Sequence, residues 1–381
     1  MNIPRIIIAA AIVLSVYGGA NYYIARRLYQ WFNVLSVDIN LKVYTCVFVL
    51  LALSLFLGFA PLPSGVRYVF SWIGAYWTGF FVYLLVFTII ADISMVLVSL
   101  TRIIPNPAPQ SVLFCRGLVV LLLTVGIVSY GLYNGNQIRH VSYEISLRDA
   151  ALDDTKIVLI SDLHLGATNS LEKNLEKMVK TINDLKPDVV CIAGDIFNDN
   201  FSALRDPERA ISLFRDVDAT YGVYACLGNH DGGSSLPQMI EFLEKSNIRL
   251  LKDEHVVIDG RLALFGRLDP SPIGGSEGLM RQDIADAITL AAADMPVIVM
   301  DHNPSYINEY GSETGLILAG HTHRGQIFPG SLITGAMYAA DYGHYQTHNE
   351  SPHVITTSGI GTWGPPMRIG TNNEIVSIVL R

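Results

Sequence analysis

Five short apolar runs in the second half of the sequence are each followed at once by residues that bind metals or move protons. The runs have the length of β-strands, and the residues after them are aspartate, asparagine and histidine. They are Asp162 and His164 after KIVLIS, Asp195 after VVCIAG, Asn229, His230 and Asp231 after VYACLG, Asp301 and His302 after PVIVM, and His321 and His323 after LILAG. One such motif alone is common in surface loops, but five in order indicate a single site.

The types and spacing of these residues suit a pair of divalent metal ions. Alternate residues of an extended segment point the same way, so the two side chains of Asp162-x-His164, and those of His321-x-His323, can face one site. Imidazole, carboxylate and amide oxygen suit manganese, iron or zinc. Seven of the residues after the strands are candidate ligands, which exceeds what one ion needs: Asp162, His164, Asp195, Asn229, His302, His321 and His323. Two ions that share a bridging carboxylate would use them, and such ion pairs promote in-line phosphoryl displacement.

An α/β domain would bring these residues together. The apolar runs alternate with amphipathic stretches that we predict to be helices, at Leu171–Leu185, Pro207–Arg215, Leu236–Ser246 and Arg281–Ala293. This alternation favours a largely parallel core sheet, and ligands bind beyond the carboxyl ends of such strands. The segment from Ser331 to His353, rich in Tyr, Gly, His and Asn, is expected to form a loop over the site.

Charge and hydropathy divide the chain into two parts. Half of the 381 residues are hydrophobic. The first 133 residues carry seven basic and two acidic residues, a balance of +5, whereas the remainder carries 19 basic and 32 acidic residues, a balance of −13. This asymmetry indicates two regions in different solvents. An acidic second part argues against nucleic acid as a partner. Four cysteines are too few for a disulfide scaffold.

The first part is predicted to be membrane-embedded. Because a spanning helix needs about 20 apolar residues, we predict four spans, listed as 6–25, 43–62, 76–100 and 112–133. The apolar residues that precede the third span from Tyr68 are interpreted as an interfacial or tilted entry. The corresponding domains are a transmembrane region at 1–135, a linker at 136–155 and a catalytic domain at 156–381.

The flanking charges place the catalytic domain outside the cytoplasm by a small margin. The expected location is therefore a membrane that the chain crosses several times. Asp92 and Arg116 fall within predicted spans and could sit at similar depth. Charges in membrane spans often mark functional sites, and a structural ion pair between helices is the alternative.

The motifs SDLHLG, AGDIFND, LGNHD, MDHNP and AGHTHRGQI resemble the calcineurin-like metallophosphoesterase superfamily. The resemblance covers roughly Lys156–Arg381, and the tail GIGTWGPPMRIGTNNEIVSIVL resembles the bacterial membrane-associated branch. It implies an α/β/β/α sandwich with a two-metal site. By motif position, the first ion would take Asp162, His164, Asp195 and His323, and the second would take Asp195 as the bridge with Asn229, His302 and His321.

The same resemblance implies roles for residues around the metals. A metal-bound hydroxide would be the nucleophile, and His230 would stabilise the phosphoryl charge or protonate the leaving oxygen. Many relatives place an aspartate at the position of Asn198 to orient that histidine, so Asp199 or Asp231 would have to substitute here. Arg324 is a candidate contact to a substrate phosphate, with a solvated loop residue as the alternative.

These features predict a membrane-anchored, metal-dependent phosphoesterase that hydrolyses a phosphate ester or diphosphate. Its partners would be the membrane and a substrate that is either lipid-linked or soluble. One alternative is a lipid-linked diphosphate hydrolase similar to the UDP-diacylglucosamine hydrolases, although those typically carry arginine where this chain has His230. The other is a catalytically silent membrane sensor or scaffold, but such proteins usually lose metal ligands and none is lost here.

Overall fold

The computed structural model describes residues 3–147, 154–167, 171–348 and 352–381. The chain divides at Tyr130 into two compact units, a helical unit before it and a sheet unit from Gly131 onward. The helices that begin in the helical unit are α1 Ile3–Val34, α2 Leu41–Leu57, α3 Ser64–Leu100 and α4 Gln110–Asn134. The last of these continues past the division.

Two of these helices, Gly65–Leu100 and Gln110–Asn134, are long and apolar enough to cross a membrane. The other two, over their described residues, do not meet the same criterion. α2 is apolar but has only 17 residues. α1 carries polar and charged residues in its later half, including Asn21 and Arg26.

Among the described residues, two candidate spans are found instead of the predicted four. The apolar stretch from Tyr68 and the third predicted span belong to one continuous helix, because α3 has 37 residues. At 1.5 Å per residue it is roughly 55 Å long, which exceeds the hydrocarbon thickness of about 30 Å.

The predicted pairing of Asp92 with Arg116 is confirmed. Arg116 Nη1 lies 3.2 Å from Asp92 Oδ1, and Arg27 Nη2 lies 2.5 Å from Asp92 Oδ2. The Tyr23 hydroxyl donates a hydrogen bond to the same carboxylate at 2.6 Å. Because four side chains satisfy one another here, the structure favours the structural ion pair over a functional site.

The sheet unit confirms the predicted α/β domain. Its described residues form two six-stranded mixed sheets, with the orders β1-β12-β2-β3-β4-β5 and β10-β11-β9-β8-β7-β6. The strands are β1 Ile138–Ile145, β2 Lys156–Ile160, β3 Val189–Ala193, β4 Val223–Cys226, β5 Ile248–Leu250, β6 Glu254–Ile258, β7 Leu262–Gly266, β8 Val297–Met300, β9 Leu316–Ala319, β10 Gly343–Tyr345, β11 His353–Thr356 and β12 Asn373–Leu380. The helices are α5 Leu171–Asp184, α6 Pro207–Arg215, α7 Leu236–Lys245, α8 Ala285–Ala292 and α9 Gly330–Met337.

The two sheets face each other across a shared apolar core. In β2, Val158 and Ile160 pack against α5, α6 and α7, whereas Ile157 and Leu159 belong to the core that also contains residues of β8 and β9. α8 packs on the outer face of the second sheet. Because the strands are buried on both faces, their sequences are continuously apolar rather than alternating.

Three local predictions differ from the structure. Residues 138–145, expected to be linker, form β1, which pairs in parallel with β12. Residues 281–284 precede α8 instead of starting it, and Arg281 makes an ion pair with Asp301 at 2.7 Å. The segment expected to be a loop contains α9 and β10.

Candidate metal centre

The seven candidate ligands meet because their strands are parallel neighbours. β2, β3 and β4 are adjacent and parallel in one sheet, and β8 and β9 are adjacent and parallel in the other. The carboxyl ends of the five strands therefore gather at one end of the sandwich. Several residues at these ends have positive φ angles although they are not glycine: Asp162 (55°), His164 (47°), Asp195 (50°), His321 (73°) and His323 (50°). Such strained backbone is typical of functional sites.

Glycines before the ligands allow the strand ends to come this close. A Cβ atom at Gly228 would lie inside contact distance of Asp195 Oδ1, and one at Gly320 would collide with Ser161 Oγ. The glycines of the GNHD and GHTH motifs are thus required by close approach of backbone to the site.

The first group of ligands consists of Asp162, His164 and His323, which are buried. His164 Nε2 lies 3.1 Å from His323 Nε2, and His323 Nε2 lies 3.3 Å from Asp162 Oδ1. Asp195 Oδ2 is 3.8 Å from His164 Nε2. Three ligand atoms therefore converge on one point, with the Asp195 carboxylate beside them.

The second group consists of Asp195, His302 and His321, with Asn229 alongside. His302 Nε2 lies 3.1 Å from Asp195 Oδ2, and His321 Nδ1 lies 2.8 Å from Asn229 Oδ1. His302 Nδ1 is 2.8 Å from the carbonyl oxygen of Ala193, which orients the ring so that Nε2 faces the site. Asp195 thus neighbours both groups, as a bridging carboxylate would.

The protonation states of these side chains suit divalent cations. Burial lowers the pKa of His164 to about 3 and that of His321 to about 4, so both rings are neutral and offer lone pairs. Burial would also lower the pKa of His302, but the adjacent charge of Asp195 outweighs it and raises that pKa. His164 and His321 therefore offer lone pairs as they stand, whereas His302 would release its proton on binding a metal ion, as metal ligands do. The residues present therefore fit two divalent ions.

His230 lies next to both groups and is held by Asp199. Its Nδ1 is 2.8 Å from Asp199 Oδ1, and its backbone N–H donates to Asp195 Oδ1 at 2.8 Å. One ligand atom of His230 also lies within 4.8 Å of ligand atoms of His164 and Asp195. His230 therefore lies within reach of a group bound at the metal centre, with its Nδ1 held by Asp199.

Of the three candidates for orienting His230, the structure brings Asp199 to it. Asp231 instead accepts hydrogen bonds from the backbone N–H groups of Ile196, Phe197 and Gly228, and so fixes the loop after β3. Burial raises the pKa of Asp231 to about 7. The backbone N–H of Asn198 donates to Leu165 O at 3.0 Å, and its side chain makes no hydrogen bond to His230 among the described residues.

Arg324 stacks on an aromatic ring. Its guanidinium carbon lies 4.2 Å from the ring centroid of Tyr342. Arg324 directly follows His323, the second histidine of the GHTH motif. The cation–π contact therefore fixes the position of a side chain that begins next to a candidate ligand. A role in binding phosphate stays a prediction.

Three supporting residues were missed at the level of sequence. Arg368 is fully buried, and its Nη1 donates to His323 O at 2.9 Å while its Nη2 lies 3.2 Å from His323 Nδ1. The Tyr338 hydroxyl lies 3.2 Å from His321 Nε2. Arg281 holds Asp301, the neighbour of His302. The only sequence signal for Arg368 is its place in the tail motif PPMRIG, and nothing in the local pattern marks the other two.

The chain is similar to known proteins over part of its length. Residues 155–325 match the calcineurin-like phosphoesterase family. The chain is 31% identical over 234 residues to an uncharacterized metallophosphoesterase of Campylobacter jejuni, covering 60% of this chain and 59% of that protein. It is 29% identical over 281 residues to a Danio rerio protein named transmembrane protein with metallophosphoesterase domain, covering 70% of this chain and 63% of that protein. A solved dimetal phosphatase from Danio rerio aligns with a TM-score of 0.35 and 13% identity over 54% of this chain and 87% of that one.

The chain spans about six tenths of the length of these two curated relatives. The matched region nevertheless includes every strand end that contributes a candidate ligand, from Asp162 to His323. Over residues 155–325, the sheet unit is therefore similar to the calcineurin-like phosphoesterase family.

Proposed function

We propose that this protein is a membrane-anchored, metal-dependent phosphoesterase. The observation that carries the proposal is the position of Asp195 between two groups of ligands, one on each side. That arrangement suits two divalent ions that share one carboxylate. When bound, such ions activate water and stabilise the charge that develops on phosphoryl oxygens.

The ligands would divide between two ions. Asp162, His164 and His323 would hold the first, because their ligand atoms converge beside Asp195. Asn229, His302 and His321 would hold the second. Manganese, iron or zinc would suit this mixture of imidazole, carboxylate and amide ligands.

The remaining chemistry would fall to His230. Water attacks phosphorus, the ester P–O bond breaks, and the leaving oxygen needs a proton. His230 is placed to donate that proton, since Asp199 binds its Nδ1 and leaves Nε2 on the other side of the ring. The Asp199 carboxylate would stabilise the charged imidazolium before transfer.

Anchoring in a membrane is supported by the two long apolar helices of the chain. Relatives from Danio rerio and Bos taurus bear names that combine a transmembrane protein with a metallophosphoesterase domain. The complete set of ligands argues against a catalytically silent scaffold, which would usually lack one or more of them.

The proposal is tested by measuring metal content and hydrolysis on the purified full chain. Two equivalents of divalent metal are expected, with hydrolysis of p-nitrophenyl phosphate or bis-p-nitrophenyl phosphate that a chelator abolishes and manganese restores. Full activity in thoroughly demetallated protein would refute the metal-dependent mechanism. Two bound metals without hydrolysis of any monoester, diester or diphosphate would favour the silent scaffold.

A further inference from the structure

Beside the metal centre, the sheet unit exposes large apolar side chains. On α9, Leu332, Ile333 and Met337 are 65%, 61% and 68% exposed. Helix geometry places these three positions on one side of α9. Phe328 and Trp363 are each about half exposed. We call Phe328, Leu332, Ile333, Met337 and Trp363 the apolar rim.

The apolar rim adjoins the metal centre through the chain and through contacts. α9 begins shortly after His323, and Tyr338, the residue that follows α9, lies 3.2 Å from His321 Nε2. The ring of Trp363 lies 5.9 Å from that of His230. A molecule bound at the metal centre would therefore find apolar surface next to it.

The apolar rim also adjoins the end of α4. The last turn of α4, from Gly131 to Asn134, belongs to the sheet unit. The Arg368 backbone N–H donates to Gly131 O at 3.0 Å, and Asn134 Nδ2 donates to Thr371 O at 2.8 Å.

The segment that contacts the end of α4, residues 363–371, also pairs with the start of the apolar rim. The Phe328 backbone N–H donates to Ile369 O at 2.8 Å. A Cβ atom at Gly131 would collide with the side chain of Ile369, so the end of α4 and this segment are in close contact. Residues 363–371 thus connect the end of α4, the apolar rim and the surroundings of His230.

The end of α4 has the features of a membrane interface. With 25 residues, the helix is ~37 Å long, so its last turn would emerge at the level of the lipid headgroups. Tyr133 in that turn is 67% exposed, and tyrosine is enriched at this depth. Apolar side chains connected to the last turn of α4 would contact lipid with little cost in free energy. In water the same side chains form an exposed hydrophobic patch.

We propose that the apolar rim lies in the interface of a lipid bilayer and that the substrate is a phosphate carried by a membrane lipid. This inference rests on the proposed phosphoesterase activity. The rim would hold the acyl or prenyl part of the substrate at the bilayer surface while its phosphate reaches the metal centre. Water would attack phosphorus and one P–O bond would break. A lipid monophosphate would give a lipid alcohol and inorganic phosphate, a lipid diphosphate would give a lipid monophosphate and inorganic phosphate, and a lipid diester would give an alcohol and a phosphomonoester.

The test compares lipid and soluble substrates on the full chain in proteoliposomes. The lipid substrates are phosphatidic acid, phosphatidylglycerol and a prenyl diphosphate, each in phosphatidylcholine, and the soluble ones are the p-nitrophenyl esters. The double variant Leu332→Ser/Ile333→Ser should lower hydrolysis of the preferred lipid substrate by ~10-fold or more, since each large apolar side chain contributes severalfold to partitioning. Soluble-substrate rates should change by less than about 2-fold.

Leu290, which is 74% exposed on α8, provides the matched control. Leu290→Ser should leave both rates unchanged. Equal effects of the double variant on lipid and soluble substrates, or no lipid hydrolysis beside efficient soluble hydrolysis, would overturn the lipid proposal while leaving the proposed function intact.

A second measurement decides the docking surface even without activity. Brominated acyl chains quench nearby tryptophan fluorescence, and the difference between wild type and Trp363→Phe isolates Trp363. Quenching of that difference signal supports insertion of the apolar rim. A difference signal that brominated lipids leave unchanged overturns it. Absence of all metal-dependent hydrolysis, with quenching present, would instead refute the proposed function.

Discussion

The hydrogen bond between His230 and Asp199 leads to a specific prediction about catalysis. Replacing Asp199 with asparagine keeps the shape of the side chain but removes the charge that faces His230 Nδ1 at 2.8 Å. A hydrogen bond to a charged group contributes roughly 1.5–3 kcal/mol. Asp199 is 33% exposed, so solvent screens part of this, and we expect about 1.5–2 kcal/mol, or a roughly 10- to 30-fold loss of rate.

The loss should depend on the leaving group. Alkyl phosphates need a proton on the leaving oxygen, so Asp199→Asn should slow them by the full factor. p-Nitrophenol leaves without protonation, so p-nitrophenyl esters should be slowed by less than about 3-fold. Metal content should stay at the wild-type value. Equal slowing of both substrates, or loss of metal, would show that Asp199 supports the metal centre rather than proton donation.

Two control variants make the assignment sharper. Asn198→Ala should have little effect on the alkyl substrate, because the Asn198 side chain makes no hydrogen bond to His230 in the described structure. His230→Ala should lose ~10²–10⁴-fold on that substrate while keeping both metals. If Asn198→Ala reproduced the Asp199→Asn defect, the orientation of His230 by Asp199 would be wrong.

The pH dependence follows from the same contact. Burial alone would lower the pKa of His230, but the hydrogen bond to Asp199 and the charge of Asp195 raise it above its ordinary value. A group that donates a proton is active below its pKa, so hydrolysis of alkyl phosphates should fall as the pH rises through the pKa of His230. Asp199→Asn should move that fall to lower pH.

Two further variants test the support of the metal centre. Arg368→Lys keeps a positive charge but cannot replace the hydrogen bonds to His323, Ser358 and Gly361. We expect this variant to destabilise the fold by about 3–5 kcal/mol in denaturant titrations and to weaken metal binding. Wild-type stability of the variant would contradict the role of Arg368. Gly228→Ala should reduce metal content and activity together because its Cβ would collide with Asp195, and wild-type metal content would show that the loop can relax.

The positions of the ligands could be predicted from sequence because each follows an apolar strand directly. Parallel neighbours such as β2 and β3 bring their carboxyl ends together, so order along the chain predicts proximity in space. The partner of His230 could not be chosen from sequence, because Asn198, Asp199 and Asp231 all lie near it along the motifs. Only the turn after β3, which Asp231 fixes through backbone N–H groups, brings Asp199 to the ring.

Other features depend on contacts that local patterns do not contain. Arg368 lies 45 positions after His323 in sequence, yet it binds that residue's carbonyl oxygen. The sequence of β1 resembles a polar linker because β1 is an edge strand with several exposed side chains. α9 reads as a loop because its apolar residues face outward instead of into a core. Two of the four predicted spans, those in α1 and α2, are not among the candidate spans of the described residues, and α2 is apolar but has only 17 residues.

The central claim is a pair of metal ions that share Asp195, and metal analysis of Asp195→Asn beside wild type tests it most directly. Asparagine keeps the size of the side chain but removes the charge that lies 3.1 Å from His302 Nε2 and 3.8 Å from His164 Nε2. We predict two equivalents of metal in the wild type, at most one in the variant, and a parallel loss of hydrolysis by several orders of magnitude. Retention of two metals by Asp195→Asn would contradict the bridging role of this carboxylate.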